Sequence, residues 1–484
     1  MRAMRWVSAF LVPTVLAGCV VGPEYVRPEA VTEMPSAFVE PSGAWKAAEP
    51  RDEQPRGEWW LVFGDAELNR LERLALEGSQ RLKTAEARFA QARASVDVAR
   101  SGLFPRIGAA ATATLQHDSA ERPLPTTGEA AGKGFTYANF SIPFDLSWEP
   151  DLWGRVRRQV ESSTARASAE AADLEAVRLS LAAEVAADYF VLRALDDERR
   201  LLVTSVDAFR QALEMVQARR KAGLISDLDV AQADTALRSA EALLPPNALA
   251  RARFEHALAA LTGQPAPLFH LSAGPPPPEP PAVPAVLPSE LLERRPDIGA
   301  AERRMASANA SIGVAVAAFY PSLRLGGVGG VQSLDVGTLL SAPGLLWALG
   351  GFLVAPLFDG GKRQADVEIA QATWDEAVAR YRDTVLLAFA EVEDNLAAQQ
   401  LLAEEYERLV AAAAAAHLLE SIARARYENG LVSYLPVVTA QAVALERDRA
   451  VVRSRGQRAT AAVALIKSVG GTWEEPEGDR LMRP

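Results

Sequence analysis

Few side chains in this sequence are placed to do chemistry. Four histidines, His117, His256, His270 and His417, are scattered without the spacing of a ligand set, and Cys19 is the only thiol. Zinc coordination or nucleophilic catalysis needs such groups in convergent pairs or triads. The glycine run Gly326–Gly330 superficially looks like a phosphate loop, but it lies in strand-period sequence and no helix follows it. Gly360-Gly361-Lys362-Arg363 lacks both the upstream glycine and the Ser/Thr of a nucleotide loop. The expectation is therefore no enzyme, no metal and no cofactor. What does recur is turn chemistry: Gly-Leu-x-Ser occurs at Gly223–Ser226 and again at Gly430–Ser433, each time interrupting long Ala-rich helical sequence.

Composition narrows the class. With 49% hydrophobic and 23% charged residues, 484 residues suffice for two or three ordinary domains. A net charge of -11 argues against nucleic acid, which is bound through basic surfaces. Arg2 and Arg5 precede an apolar run, Trp6 to Val15, that is too short for a comfortable membrane span and has the layout of an export signal. Leu16-Ala17-Gly18-Cys19 then resembles the bacterial lipoprotein signal, in which Cys19 becomes a lipid-modified N-terminus. That reading is preferred to a plain signal peptide because a lone thiol has no internal disulfide partner. By the same resemblance, Val20 in place of Asp favours the outer membrane.

The positioning elements come in two copies. The interval that carries Gly223 onto Gly430 also carries Gly154 onto Gly361 and Leu261–Gln264 onto Ser468–Gly471, and a slightly longer one carries Glu86–Pro105 onto Glu302–Pro321. The difference implies an insertion in the first copy between Pro105 and Gly154. Within that segment Phe140, Ile142, Phe144, Leu146 and Trp148 alternate with Ser141, Pro143, Asp145 and Ser147, the period of a strand with one apolar face. Arg106–Gln116 is its expected partner strand. Ser322–Gln332 and Trp347–Phe358 form the second pair. Strands of roughly ten residues match a tilted bilayer crossing; a soluble hairpin shows the same period, and the lipid signal decides for the membrane. Four strands cannot close a barrel, so several chains must contribute, two giving eight strands or three giving twelve.

Neither Arg155–Ala222 nor Lys362–Asn429 contains proline or glycine, and each stretch would reach roughly 100 Å as one helix. Leu192, Leu195, Leu202, Val206, Phe209, Leu213 and Val216 form a coiled-coil seam interrupted by Arg199. Ala413 and Ala416 occupy the matching positions of the second copy. Gly223 and Gly430 suit helix ends, Ser226 and Ser433 suit N-caps, and the chain is expected to return as Leu228–Ala260 and Leu435–Lys467.

These features resemble the outer-membrane efflux protein (TolC) family, and within it the lipoprotein, NodT-like branch. The carrying stretches are Glu58–Leu71, Ser147–Arg158, Leu291–Arg304 with its Arg-Arg-Pro-Asp-Ile, Phe319–Leu323, Pro356–Arg363 and the two Gly-Leu-x-Ser tips. The resemblance implies a mainly α fold with membrane β: duplicated long coiled-coil helices plus two β-hairpins per chain. A homotrimer would form a 12-stranded outer-membrane β-barrel continued by a periplasmic α-helical barrel. The segments would be a signal peptide at 1–18, an extension at 19–64 and a first repeat at 65–264 (hairpin about 104–150, tip 221–230). A Pro-rich equatorial connector at 265–288, a second repeat at 289–471 (hairpin about 320–358, tip 428–437) and a tail at 472–484 would follow.

The implied function is a passive exit duct fed by an inner-membrane RND-type transporter through a periplasmic adaptor, with outer-membrane lipid around the barrel. Docking of the adaptor is implied at Gly223, Leu224, Ser226, Gly430, Leu431 and Ser433. The periplasmic aperture is implied at Tyr427, Tyr434, Leu435 and Thr439, with Ala442 nearby. Relatives often carry an Asp where this chain has Thr439, so local negative charge is expected from Asp227 and Asp229 instead, and packing of Leu435 and Tyr434 is expected to hold the closed state. Two other classes share parts of this pattern: an exit duct for secreted polypeptides, and a lipid-anchored periplasmic coiled coil without a barrel.

Overall fold

The structure is a computed structural model that describes residues 20–30, 57–121, 134–281 and 294–471. Cys19, the signal segment, most of the 19–64 extension, the end of the connector and the C-terminal tail lie outside them. The elements, in chain order, are α1 (Ala66–Gly78), α2 (Gln80–Ser101), β1 (Arg106–Ala109), β2 (Thr112–Asp118), β3 (Phe135–Trp148), α3 (Arg155–Lys221), α4 (Asp227–Glu241) and α5 (Leu244–Leu261). They continue as α6 (Pro296–Ala317), β4 (Ser322–Ser333), β5 (Leu345–Val354), α7 (Lys362–Glu428) and α8 (Leu435–Ser468). Two compact units result: Met1–Pro28 with Ala90–Ala169 and Glu302–Arg380, and Glu29–Phe89 with Glu170–Ala301 and Tyr381–Pro484.

The first unit holds an antiparallel sheet in which β1 and β2 share one flank of β3, β4 lies on its other flank, and β5 pairs with β4. Its register sorts the side chains. Ile107, Leu146, Gly327 and Leu349 form one cross-strand row, and Ala109, Phe144, Gly329 and Trp347 form the next. The opposite face carries Gly108, Asp145, Val328 and Ala348 in one row and Thr112, Ser141 and Gln332 in another. The first face is thus apolar over its middle rows, giving way to Ser333 and to the His117–Thr136 pair at one end, while the other mixes polar and small residues with Leu346 and Phe352 of β5. Phe144, Trp347, Leu349 and Leu353 are exposed on the apolar face. Such an alternation, with the apolar side uncovered, is that of a strand set facing lipid.

The run Arg106–Gln116, expected as one partner strand, is split. Ala110 donates its N–H to the Pro143 carbonyl at 3.1 Å, but proline has no N–H to return to Ala110, so the ladder lapses before resuming in the same register at Thr112. On the other side of β3, Gly330 faces Pro143 so closely that a Cβ there would lie 2.3 Å from the Ile142 carbonyl oxygen. Glycine is required at that crossing.

Below the strands, the segment that follows Cys19 is tied down. Val21 donates to the Trp153 carbonyl at 3.2 Å, Asn309 donates to the Pro23 carbonyl at 3.2 Å, and the Tyr25 hydroxyl donates to Glu302 at 2.8 Å. Trp153 stacks on Tyr320 with ring centroids 4.8 Å apart, and its indole N–H reaches the Pro321 carbonyl at 2.8 Å. Aromatic residues at the strand ends are what a membrane interface selects.

The second unit buries Trp59, Trp60, Phe63, Leu68 and Leu71 against Leu181, Val185, Tyr189 and Phe190 of α3, Leu258 of α5 and Ile466 of α8. Each such side chain contributes roughly 1.5–3 kcal/mol on burial. The α3 seam is buried at Leu192, Leu202, Val206, Phe209, Leu213 and Val216, with Leu195 half-buried and Arg199 exposed. The first return arm, expected as one run from Leu228 to Ala260, is two helices. Pro245 and Pro246 supply no N–H to the carbonyls of Glu241 and Ala242, and α5 restarts there with proline in its first turn. The second return arm has no such pair and is the single helix α8.

Beyond α5 the connector is fastened by charge. Arg193 donates to the Ser272 carbonyl at 2.7 Å, Gly274 donates to Asp196 at 3.2 Å, and Leu271 donates to Glu255 at 2.7 Å. Arg193 and Asp196 are themselves paired and buried, so the carboxylate and guanidinium replace lost hydration with backbone partners.

Candidate functional site at the helical tips

Helix α3 ends because Gly223 takes φ +75°, and α7 ends because Gly430 takes φ +70°. In both, the N–H of the following leucine reaches back to a last-turn carbonyl: Leu224 to Arg219 at 3.0 Å and Leu431 to Arg426 at 2.9 Å. The paired bonds over a shorter span of chain, Gly223 to Arg220 and Gly430 to Tyr427, complete the same double closure at each end. This closure normally brings an apolar contact to the residue after the glycine. Here Leu224 is 71% exposed and Leu431 69% exposed.

The two tips restart differently. Ser226 N-caps α4 in a capping box with Asp229, worth about 0.5–2 kcal/mol. Ser433, expected in the same role, is not the cap of α8; Tyr434 stands there in helical conformation with no side-chain cap, and Pro436 follows in the first turn. Its backbone is served from the other tip instead. Asp229 Oδ1 accepts from the Tyr434 N–H at 3.2 Å while Oδ2 accepts from the Ser226 N–H at 3.1 Å and the Ser226 hydroxyl at 2.8 Å. One carboxylate therefore joins two hairpins 205 residues apart in sequence.

Around it, Tyr427 and Tyr434 meet edge to face at 5.1 Å, and the Arg219 guanidinium lies 4.7 Å from the Tyr427 ring centroid. Both tyrosines are buried with Val216, Ala233, Leu237 and Val437. Burial, followed by the nearby Tyr427, pushes the Tyr434 hydroxyl up to about 12. Burial also raises Asp229, but the hydrogen bonds from Ser226 and Tyr434 outweigh it and hold the carboxyl below its ordinary range. Asp227 is exposed and paired with Arg220 at 2.7 Å, and that hydrogen-bonded guanidinium holds it low. Among the residues named from sequence, the structure thus brings together Tyr427, Tyr434 and Asp229. Leu435 and Thr439 are exposed, Thr439 donating to the Leu435 carbonyl at 2.9 Å. Arg219 was not singled out from sequence; a basic cluster, Arg219-Arg220-Lys221, at a helix C-terminus was its only signal.

Among the described residues no group of three or more His, Cys, Asp or Glu side chains is arranged to hold a metal, and no helix is long and apolar enough to cross a membrane. His417 pairs with Asp448 at 2.9 Å, joining α7 to α8.

A sheet with a largely apolar exposed face and long helical hairpins whose tips close on glycine define a class: a chain that carries membrane-type strands together with long helices. The family model described as outer membrane efflux protein matches residues 71–264 and again 287–471, and the chain belongs to that family. It is 32% identical over 477 residues to the outer membrane protein OprJ of Pseudomonas aeruginosa, covering 97% of this chain and 96% of OprJ. It is 31% identical to the probable efflux pump outer membrane protein TtgC of Pseudomonas putida, covering 98% and 96%. Among solved structures, the outer-membrane channel OprN superposes with a TM-score of 0.84 at 30% identity, covering 94% of this chain and 100% of that one. The Campylobacter jejuni CmeC outer membrane channel gives 0.82 at 26% identity, covering 96% and 98%. The protein is an outer-membrane efflux channel.

Proposed function

We propose that three copies of this chain form one passive exit duct, lipid-anchored through Cys19, closed at its periplasmic tips and fed by an RND-type inner-membrane pump through an adaptor. The carrying observation is the sheet: its apolar rows run across β1, β3, β4 and β5, and among the described residues β1/β2 and β5 are unpaired edges. Open edges in lipid leave backbone groups without partners, so copies must pair edge to edge. Three copies give the twelve strands that the family resemblance implies.

Lipid on Cys19 is supported by the position of its neighbour, since Val20 packs against Gly154 beside the Trp153–Tyr320 aromatic pair at the strand ends. Adaptor docking at Gly223, Leu224, Ser226, Gly430, Leu431 and Ser433 is supported by the two exposed leucines, which have no intrachain reason to be apolar. Replacing both, Leu224→Asp with Leu431→Asp, is expected to abolish drug export in cells that depend on this channel while barrel assembly persists. Retained export would remove the docking assignment.

The deciding experiment is single-channel conductance of the purified protein in a planar bilayer, on a sample whose native and intact-chain masses are measured in parallel. The expected result is a trimer of lipid-modified chains giving small, cation-preferring, mostly closed events. A monomer without conductance would sink the duct, and an unmodified Cys19 thiol would sink the anchor.

A further inference from the structure

The β2–β3 and β4–β5 turns lie at the end of the sheet away from the helices, because α3 follows β3 after Trp148 and α7 follows β5 after Val354. The two turns differ in kind. The first carries Glu121, Arg122, Glu129 and Lys133 in sequence, the makeup of a loop that stands in water. The second, residues 334–344, has Asp335 as its one charge and leaves Leu334, Val336 and Leu340 at 67%, 66% and 83% exposure.

That second turn meets its polar groups internally. The Ser333 and Thr338 hydroxyls bond to each other at 2.7 Å, Thr338 donates to the Asp335 carbonyl at 3.1 Å, and Ser341 donates to the Thr338 carbonyl at 2.6 Å. Asp335 accepts the Gly337 N–H at 2.8 Å, and the N–H groups of Thr338, Leu339, Ser341 and Gly344 close short helical turns on carbonyls of the same segment. The register shows what it continues. On β3 and β2 the apolar face includes the row Ala138–Leu115, with Leu115 exposed, before Thr136 and His117 make it polar. β4 stops level with Phe140 and β5 begins level with Ile142, so neither strand reaches that row. From Trp148 to Ala138 the apolar run of β3 rises roughly 26 Å at the usual tilt, close to the band of about 25 Å that such barrels present to lipid, whereas Leu323–Val331 on β4 rises only roughly 21 Å. The turn stands where the band on β4 and β5 is short, and it follows directly on Leu345, Trp347 and Leu349, the exposed apolar row of β5.

We infer that the β4–β5 turn binds the outer leaflet of the membrane, with Leu334, Val336 and Leu340 among the lipid acyl chains instead of in water. Continuity with the lipid-facing row of β5 selects that occupant. Irregular backbone is not tolerated in the centre of a bilayer, but at its boundary apolar side chains enter about 5–10 Å while charge stays among the head groups, which suits a turn whose single charge is Asp335. This placement rests on the sheet being a barrel wall and adds the depth of its outer end. Because β5 is an edge, the seated turn also sets the height at which that edge meets another copy.

The test is nitroxide accessibility of the full-length protein in vesicles of phosphatidylethanolamine and phosphatidylglycerol. A spin label is placed singly through Leu340→Cys or Val336→Cys in the turn, Leu349→Cys in the apolar row of β5 and Ser119→Cys beside the charged turn. The unaltered protein, treated identically, gives the background from Cys19. Molecular oxygen concentrates among acyl chains, whereas a neutral nickel chelate stays in water. The ratio of oxygen to chelate collisions at Leu340→Cys and Val336→Cys is expected to be severalfold above that at Ser119→Cys and to approach that at Leu349→Cys. A ratio equal to that at Ser119→Cys, with Leu349→Cys high, would overturn the placement and leave the barrel wall standing. Labels in the turn shielded from both reagents would mean that another copy covers it, and would overturn the placement equally. A label at Leu349→Cys that sits in water would overturn the barrel wall itself, and the placement with it.

Discussion

Asp229→Ala should hold the channel open. The substitution removes three hydrogen bonds at once, two within the first tip and one that crosses to the Tyr434 N–H of the second. Loss of the capping box costs about 0.5–2 kcal/mol, and leaving the buried Tyr434 N–H without an acceptor costs about 1–3 kcal/mol. Since each 1.4 kcal/mol is about tenfold in an equilibrium, the open fraction in planar bilayers is expected to rise about tenfold or more. Ser226→Ala is the control, because it removes the hydroxyl but leaves the cross-tip bond, and its effect should be much smaller. Equal effects of the two variants would mean that helix capping, not the tie between tips, sets closure. The charge adds a pH signature. Because the Asp229 carboxyl sits below its ordinary value of 3.8, the stability it contributes is complete above that value and disappears only as pH falls through the lowered one. Conductance of the unaltered channel should therefore be flat across neutral and mildly acidic pH and rise below about pH 4, whereas Asp229→Ala should show no such rise. Leu435, expected to share in closure by packing, is exposed within the chain, so any part it plays is against another copy.

How far the sequence carries can be judged element by element. The seam from Leu192 to Val216 was legible because a helix buries its apolar residues at three and four spacing, whatever its partner. Gly223 and Gly430 were legible because a left-handed helix end leaves few alternatives to glycine. The apolar face of β3 was legible from its period of two. The lapse at Ala110 was not, because the effect of Pro143 depends on which neighbouring strand its missing N–H faces, and that is a fact of register. The break at Pro245-Pro246 was written in the sequence, and the symmetry of the two copies masked it. Symmetry misled again at Ser433: the second tip buries Tyr434 against Tyr427, and the cap it lacks locally arrives from Asp229. Long-range contacts of that kind have no period to reveal them. Glu72 is an intermediate case, since its place after Leu68 and Leu71 and before Ala75 puts a carboxyl on the apolar stripe of α1.

Glu72→Gln is expected to stabilise the protein, and more so as pH rises. The Glu72 side chain is fully buried at 0% exposure, beside Leu68 and Leu71, and neither carboxyl oxygen has a hydrogen-bond partner. Burial without a compensating partner penalises the charged form and pushes the group up to about 9 from an ordinary 4.5. The folded chain therefore keeps Glu72 neutral at pH 7 while the unfolded chain ionises it. Folding must then take up a proton, so the cost starts near the unfolded value of 4.5, grows with pH and levels off above about 9. At pH 7 it amounts to about 3 kcal/mol, a large share of the usual margin for a folded domain. Glutamine has nearly the shape of the neutral acid and does not titrate, so the variant should be more stable by a few kcal/mol at pH 7 and about equal at pH 4.5. Urea unfolding followed by helical circular dichroism, on both proteins between pH 4.5 and 9, reads this directly. A wild-type midpoint independent of pH, or a variant less stable at neutral pH, would show that Glu72 is ionised in the folded protein and that it has a partner in the assembled channel.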